Sequence, residues 1–245
     1  MSRQSRGWLL QACDRYKDIL PVFISGLRQI EYFDKYYIAT DTDFWSPSGI
    51  PSHDGDYCVI QHLNKDYGWS KNIIKLLEVV REDVFFMGCE DYILEDFAKE
   101  EIDICFKAVC KDKDIGCIRL TRKKRIKLEN EFEDDIYGPV YGPIVKPYPY
   151  YVSLQPTIWK KSYLRSIIKE DENAWQFETE ASKRAMQIST PRAYCTSKTL
   201  FNYKNYIVKG QLQKNPPDYR SIHDLYHRCV PSAQSIAGWS FSRCI

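Results

Sequence analysis

Apolar and polar positions follow two rhythms along the first half of the chain. Trp8 to Ala12 is a short apolar run that predicts a first strand, ending at the polar Cys13-Asp14-Arg15-Tyr16. From Ile19 to Ile30 the apolar residues fall at 19, 20, 23, 24, 27 and 30, the spacing of one helical face, with Pro21 tolerated in the first turn. Tyr36–Thr40 and Tyr57–Gln61 read as strands, separated by Asp41-Thr42-Asp43 and a Pro/Ser/Gly-rich loop, Ser46–Gly55. A helix opens at Asp66–Asn72 and buries Ile73, Ile74, Leu76, Leu77 and Val80. Val84–Tyr92 follows, an apolar run without alternation that predicts a strand buried on both faces and carries Glu90 and Asp91 at its end. An amphipathic segment, Ala98–Lys111, then leads to a strand at Gly116–Leu120. Strand and helix in alternation build a parallel sheet through right-handed crossovers.

The second half is less regular. Thr121–Asp135 sets Arg122-Lys123-Lys124-Arg125 against a run of carboxylates, which reads as a solvated loop or hairpin that neutralises itself. Gly138-Pro139, Gly142-Pro143, Pro147 and Pro149 mark a turn-rich connector. Beyond it the pattern predicts an alternating strand at Tyr151–Pro156, a helix at Trp159–Ile168, a turn at Asp171–Phe177 and a helix at Glu178–Gln187. A short strand at Asn205–Gly210 and a last helix around Ile222–Arg228 complete the pattern. The expectation is one α/β domain over 1–245, with a mixed, mostly parallel sheet flanked by helices. It divides into a Rossmann-like nucleotide-binding half at 7–120, an acceptor and catalytic half at 121–210, and a tail at 211–245.

Composition narrows the partners. Lys plus Arg total 35 against 33 for Asp plus Glu, and a net charge of +2 gives no field that points to nucleic acid. Nine cysteines form no Cys-x-x-Cys pair and several sit in apolar stretches, the usage of reduced core thiols, so a cytoplasmic or otherwise reducing compartment is expected. The apolar stretch after Arg6 ends at Cys13-Asp14-Arg15. It is too short for a signal-peptide core or a membrane span, so any membrane association is expected to be peripheral. His223 and His227 stand at i and i+4 but lack a Glu directly after the first His, and read as surface histidines. Phosphate-loop and dinucleotide fingerprints are absent from the sequence.

A Glu-Asp pair at the carboxyl end of a buried strand is placed where open α/β sheets bind ligands, although the same residues also suit a helix cap. Cys13-Asp14-Arg15-Tyr16 after the first strand, Trp69-Ser70-Lys71-Asn72 opening a helix, and Glu90-Asp91-Tyr92 stand in an order that resembles nucleotide-sugar glycosyltransferases of the GT-A fold. So do Ser153-Leu154-Gln155-Pro156 with Trp159, and Asn173-Ala174-Trp175-Gln176-Phe177-Glu178, which are similar to Ser-Leu-Gln-Pro-x-x-Trp and Asn-x-Trp-x-Phe-Glu motifs of that family. The resemblance runs from about Leu9 to Gly210.

It implies transfer of a sugar from a nucleoside diphosphate sugar, UDP-sugar favoured, to a glycan or glycoprotein acceptor, with inversion and with the help of Mn²⁺ or Mg²⁺. Asp91 would be the metal carboxylate, with Glu90 beside it, because a leaving diphosphate needs its charge stabilised. Glu178 would be the base that takes the acceptor proton, with Trp175 and Phe177 partly desolvating it; its alternative role is a carboxylate favoured by a helix N-terminus. Asp14, Arg15, Tyr16 and Asp43 would meet the nucleotide. Trp69, Ser70 and Lys71 would offer it a helix N-terminus, with helix packing the alternative for Trp69. Gln155 and Trp159 would line the sugar. The rivals are a non-catalytic nucleotide- or glycan-binding module and a nucleotidyltransferase.

Overall fold

The computed structural model describes residues 4–12, 20–40, 57–61, 68–129, 140–205, 207–208 and 211–212. In chain order these are β1 (Gly7–Ala12), α1 (Leu20–Gln29), β2 (Lys35–Thr40), β3 (Tyr57–Gln61), α2 (Trp69–Val79), β4 (Val84–Met87), β5 (Tyr92–Phe97), α3 (Lys99–Lys111) and β6 (Ile115–Arg119). The second half gives β7 (Tyr141–Pro143), β8 (Thr157–Lys160), α4 (Lys161–Ile167), α5 (Ala174–Gln176), a π-helical turn (Phe177–Ala181), α6 (Ser182–Gln187), β9 (Arg192–Thr196) and β10 (Phe201–Asn205). A two-residue hairpin pair, β11 (Ile207–Val208) and β12 (Gln211–Leu212), follows. The predicted helix at 222–228 and both histidines, His223 and His227, lie outside the described residues.

Eight strands make one sheet in the order β3-β2-β1-β4-β8-β6-β9-β7. β1 pairs in parallel with β2 and β4, and β2 with β3, so all four end at one edge. β8 runs antiparallel between β4 and β6.

Both faces are covered, and successive residues of a strand alternate between them. Trp8, Leu10 and Phe86 join Phe23, Ile24 and Leu27 of α1 and Ile102, Phe106 and Val109 of α3 in one core. Leu9, Phe85, Met87 and Trp159 join Ile73, Leu76 and Leu77 of α2, Tyr163 and Leu164 of α4, and Phe177 in the other. Each such fully buried Phe or Leu contributes roughly 1.5–3 kcal/mol relative to leaving it in water.

Three expectations need correction. The central strand stops at Met87; Cys89 to Tyr92 is a turn closed by Tyr92 N–H on the Cys89 carbonyl, and Tyr92 starts β5, which pairs antiparallel with β10. Tyr151–Pro156 is not a strand. Its amides go to side chains instead, Val152 N–H to Ser182 Oγ and Leu154 N–H to Glu178. The helix expected from Trp159 begins only at Lys161, because Thr157, Ile158 and Trp159 fill the gap between β4 and β6 as a central strand. Trp159, Tyr163, Leu164 and Ile167 keep helical spacing across that strand-to-helix junction, which makes the two periods hard to separate.

Candidate active site

At the edge where β4 ends, Gly88-Cys89-Glu90-Asp91 turns the chain into β5. The opposite wall is Ser153-Leu154-Gln155 with the π-helical turn that carries Glu178. The two walls meet at Cys89: its Sγ lies 4.0 Å from the Leu154 carbonyl, and its thiol feels the charges of Asp91, Glu90 and Glu178. Burial and those three carboxylates push the thiol well up, so Cys89 is a neutral filler here rather than a nucleophile. Tyr92 senses Asp91 and Glu178 as well, and its phenol is also pushed up by burial. Three acidic side chains from two remote stretches thus converge.

Glu178 is held as an acceptor. Oε1 takes the Ser153 hydroxyl at 2.7 Å and the Leu154 N–H at 2.8 Å, while Oε2 takes no hydrogen bond from the described residues. The π-helical geometry at Phe177–Ala181 turns this carboxylate toward 153–154, and such turns recur at functional sites. Phe177 is fully buried against Trp69 and Trp159, so it anchors the turn. Trp175 stands in solvent and does not desolvate Glu178. Glu180, two residues on, pairs with Lys183 at 2.7 Å.

Asp91 also has a changed acidity. Burial pushes its carboxyl up to about 6, against a single backbone hydrogen bond that lowers it. No lysine or arginine among the described residues pairs with it. A half-buried carboxylate lacking a cation suits a divalent ion. Among the described residues no group of three His, Cys, Asp or Glu stands ready to hold one, so Asp91, with the buried Glu90 beside it, would share the ion with ligand oxygens.

Beyond Asp91 the rings of Tyr92 and Tyr203 lie 4.4 Å apart, and the Gln155 side chain acts on the Tyr203 phenol, favouring its charged form against burial. Gln155 Oε1 is buried with no partner among the described residues. Gln155 therefore stands in this cluster. Tyr203 was not foreseen, because nothing in the alternation of β10 distinguishes it from a surface tyrosine.

The other expected residues separate. Trp159 is wholly buried in β8 against Tyr163 and Phe177 and is a core residue, not a wall of the site. The N-terminus of α2 is already used: Ser70 N–H goes to the Glu172 carbonyl at 3.0 Å, Ser70 Oγ to the Glu170 carbonyl at 2.8 Å, and Glu172 N–H returns to Ser70 Oγ at 3.0 Å. Lys71 lies 3.9 Å from Glu170, and Trp69 packs on Phe177. These three residues lock α2 to the segment that leads into Glu178, so their contribution is to position it. Glu172 completes the lock with a buried ion pair to Arg184 at 2.7 Å. Asp14, Arg15, Tyr16 and Asp43 lie outside the described residues, although β1 and β2, which precede them, end at the same edge as β4.

No family model and no curated protein matches the chain. Solved structures do. S. aureus TarS 1-349 superposes with a TM-score of 0.54 at 13% identity, covering 82% of this chain and 60% of that one, so the chain spans less than two thirds of its length. The inositol-1-phosphate CTP transferase from T. maritima superposes with a TM-score of 0.52 at 10% identity, over 94% of this chain and 98% of that one. A mycobacterial protein gives 0.50 at 11% identity, over 95% and 76%. Likeness at such identity is likeness of fold. The eight-stranded mixed sheet with helices on both faces is a GT-A-like α/β fold, shared with these proteins.

Proposed function

We propose that this chain is a glycosyltransferase that moves a sugar from a nucleoside diphosphate sugar to a glycan hydroxyl with inversion. The observation that carries the proposal is the meeting of Asp91 and Glu178 around Cys89 and Tyr92, at the carboxyl end of β4. In an open α/β sheet that edge is where a nucleotide sits.

The proton follows from the geometry of Glu178. With Oε1 occupied by Ser153 and Leu154, Oε2 receives the proton of the acceptor hydroxyl. The acceptor oxygen bonds to the anomeric carbon as the bond from that carbon to the diphosphate oxygen breaks, and a nucleoside diphosphate leaves. A divalent ion at Asp91 would supply charge stabilisation to the leaving diphosphate. Asp91 itself must be ionised to hold it, so a carboxyl pushed up to about 6 gives binding that strengthens as pH rises through that value.

The test combines binding with product analysis. Calorimetry with UDP, GDP, dTDP and CDP, each with and without Mn²⁺, is expected to find one nucleotide whose binding needs the ion and is lost in Asp91→Ala. Incubation with the matching sugar nucleotide and a glycan panel is then expected to release nucleoside diphosphate. Release of pyrophosphate from a nucleoside triphosphate would instead assign a nucleotidyltransferase, and binding without turnover a non-catalytic module. A chain that binds none of the four nucleotides would sink the transferase reading.

A further inference from the structure

Trp175 is 66% exposed, the most open large apolar side chain among the described residues. Its backbone is nevertheless fixed. Asn173 Oδ1 accepts the Gln176 N–H at 2.8 Å, Gln176 Oε1 accepts the Asn173 N–H at 2.9 Å, and the Thr179 hydroxyl donates to the Trp175 carbonyl at 3.2 Å. A reciprocal capping box therefore holds an indole out in water, while Phe177, two residues on, is completely buried. An indole on a fixed backbone kept in solvent forgoes the burial that its size would reward, which fits a surface for stacking.

Its place in the chain says what it stacks on. Phe177 has helical backbone angles, so the chain runs without a break from α5 into the π-helical turn, and Trp175 stands three residues before Glu178.

We propose that Trp175 is a stacking platform for a pyranose ring of the acceptor glycan. This rests on the transferase reading of Glu178. The C–H face of a pyranose is apolar and matches an indole in width, while its hydroxyl rim stays in water, so one fixed Trp serves without a deep pocket. The platform sets where along the glycan the attacking hydroxyl falls.

The experiment compares the wild-type chain with Trp175→Ala and Trp175→Phe on an array of immobilised glycans, and then measures initial rates with the best-bound glycan as acceptor. Ile104→Ala, which removes another exposed apolar side chain from α3, serves as the control. Trp175→Ala is expected to lose array binding and to raise the acceptor KM about tenfold or more, Trp175→Phe to restore most of it, and the donor KM to stay put. An acceptor KM for Trp175→Ala within about twofold of wild type overturns the platform, as does a wild-type chain that binds no glycan on the array. If no donor is turned over yet glycan binding depends on Trp175, the transferase reading falls and the platform stands. Full transfer that is indifferent to Trp175 removes the platform alone.

Discussion

Ser153 donates its hydroxyl to Oε1 of Glu178 at 2.7 Å, and the Leu154 N–H joins it on the same oxygen at 2.8 Å. The 151–155 stretch gives up sheet pairing to make this contact. Ser182, fully buried, joins the same two segments again: its Oγ accepts the Val152 N–H at 3.0 Å and lies 2.5 Å from the Glu178 carbonyl. The orientation of one carboxylate is thus fixed from both its head and its backbone.

Glu178→Gln keeps an oxygen to accept from Ser153 and Leu154 but loses the basic one. Turnover is expected to fall by about 10²- to 10⁴-fold, the range for loss of a positioned general base, while nucleotide binding and the melting temperature barely change. Wild-type turnover in this variant would remove Glu178 from the chemistry.

Ser182→Ala leaves the Val152 N–H buried without its acceptor. A loss of roughly 1–3 kcal/mol in urea unfolding is expected, the cost of an unsatisfied buried donor. Turnover should fall in parallel, since the same hydroxyl steadies the Glu178 turn. Unchanged stability would mean that the amide finds another partner.

Asp91 makes stability depend on pH in the less common direction for a carboxylate. Its carboxyl rises from 3.8 to about 6 on folding, so between those values the native chain holds a proton that the unfolded chain has lost. The native state is therefore favoured by this group at low pH and loses that advantage as pH climbs through 6. Asp91→Asn is expected to be more stable than wild type by roughly 2–3 kcal/mol at pH 8 and to show no gain near pH 3.5, at 1.36 kcal/mol per unit. Chemical denaturation at the two pH values checks it; equal gains at both would point to packing instead.

Gly88 links the site turn to the core. A Cβ there would come within 2.9 Å of Trp8 Cζ2, and Trp8 is itself wedged between Phe23, Phe33, Phe86 and Phe201. Gly88→Ala should cost about 1–3 kcal/mol through overpacking and should weaken nucleotide binding by moving Glu90 and Asp91. A melting curve and calorimetry read the two effects separately.

Much of the first half was legible in the residue pattern. β1, α1, β2, β3, α2, α3 and β6 stand within a residue or a few of their expected limits, because each buries a side determined by its own period. Asp91, Glu178 and Gln155, picked out by the order of their motifs, were brought into one neighbourhood by the fold. Trp159 was not: a tryptophan after a polar run looks the same in sequence whether it lines a crevice or fills a sheet, and the insertion of β8 between β4 and β6 put it in the core. Ser70 likewise offered a free helix end in sequence, and the fold spent that end on Glu170 and Glu172.

The sequence by itself determined the strand and helix periods, the apolar settings of Cys105, Cys117 and Cys195, and the carboxylates at the end of a buried strand, since these depend on neighbours a few residues away. Tertiary structure decided which carboxylate is unusual. Burial in the folded chain raises the Asp91 carboxyl, while Glu178 takes two hydrogen bonds, from Ser153 and Leu154. Only the fold brings residues 89–92, 153–155, 178 and 203 together, because no local period encodes a contact across so much chain.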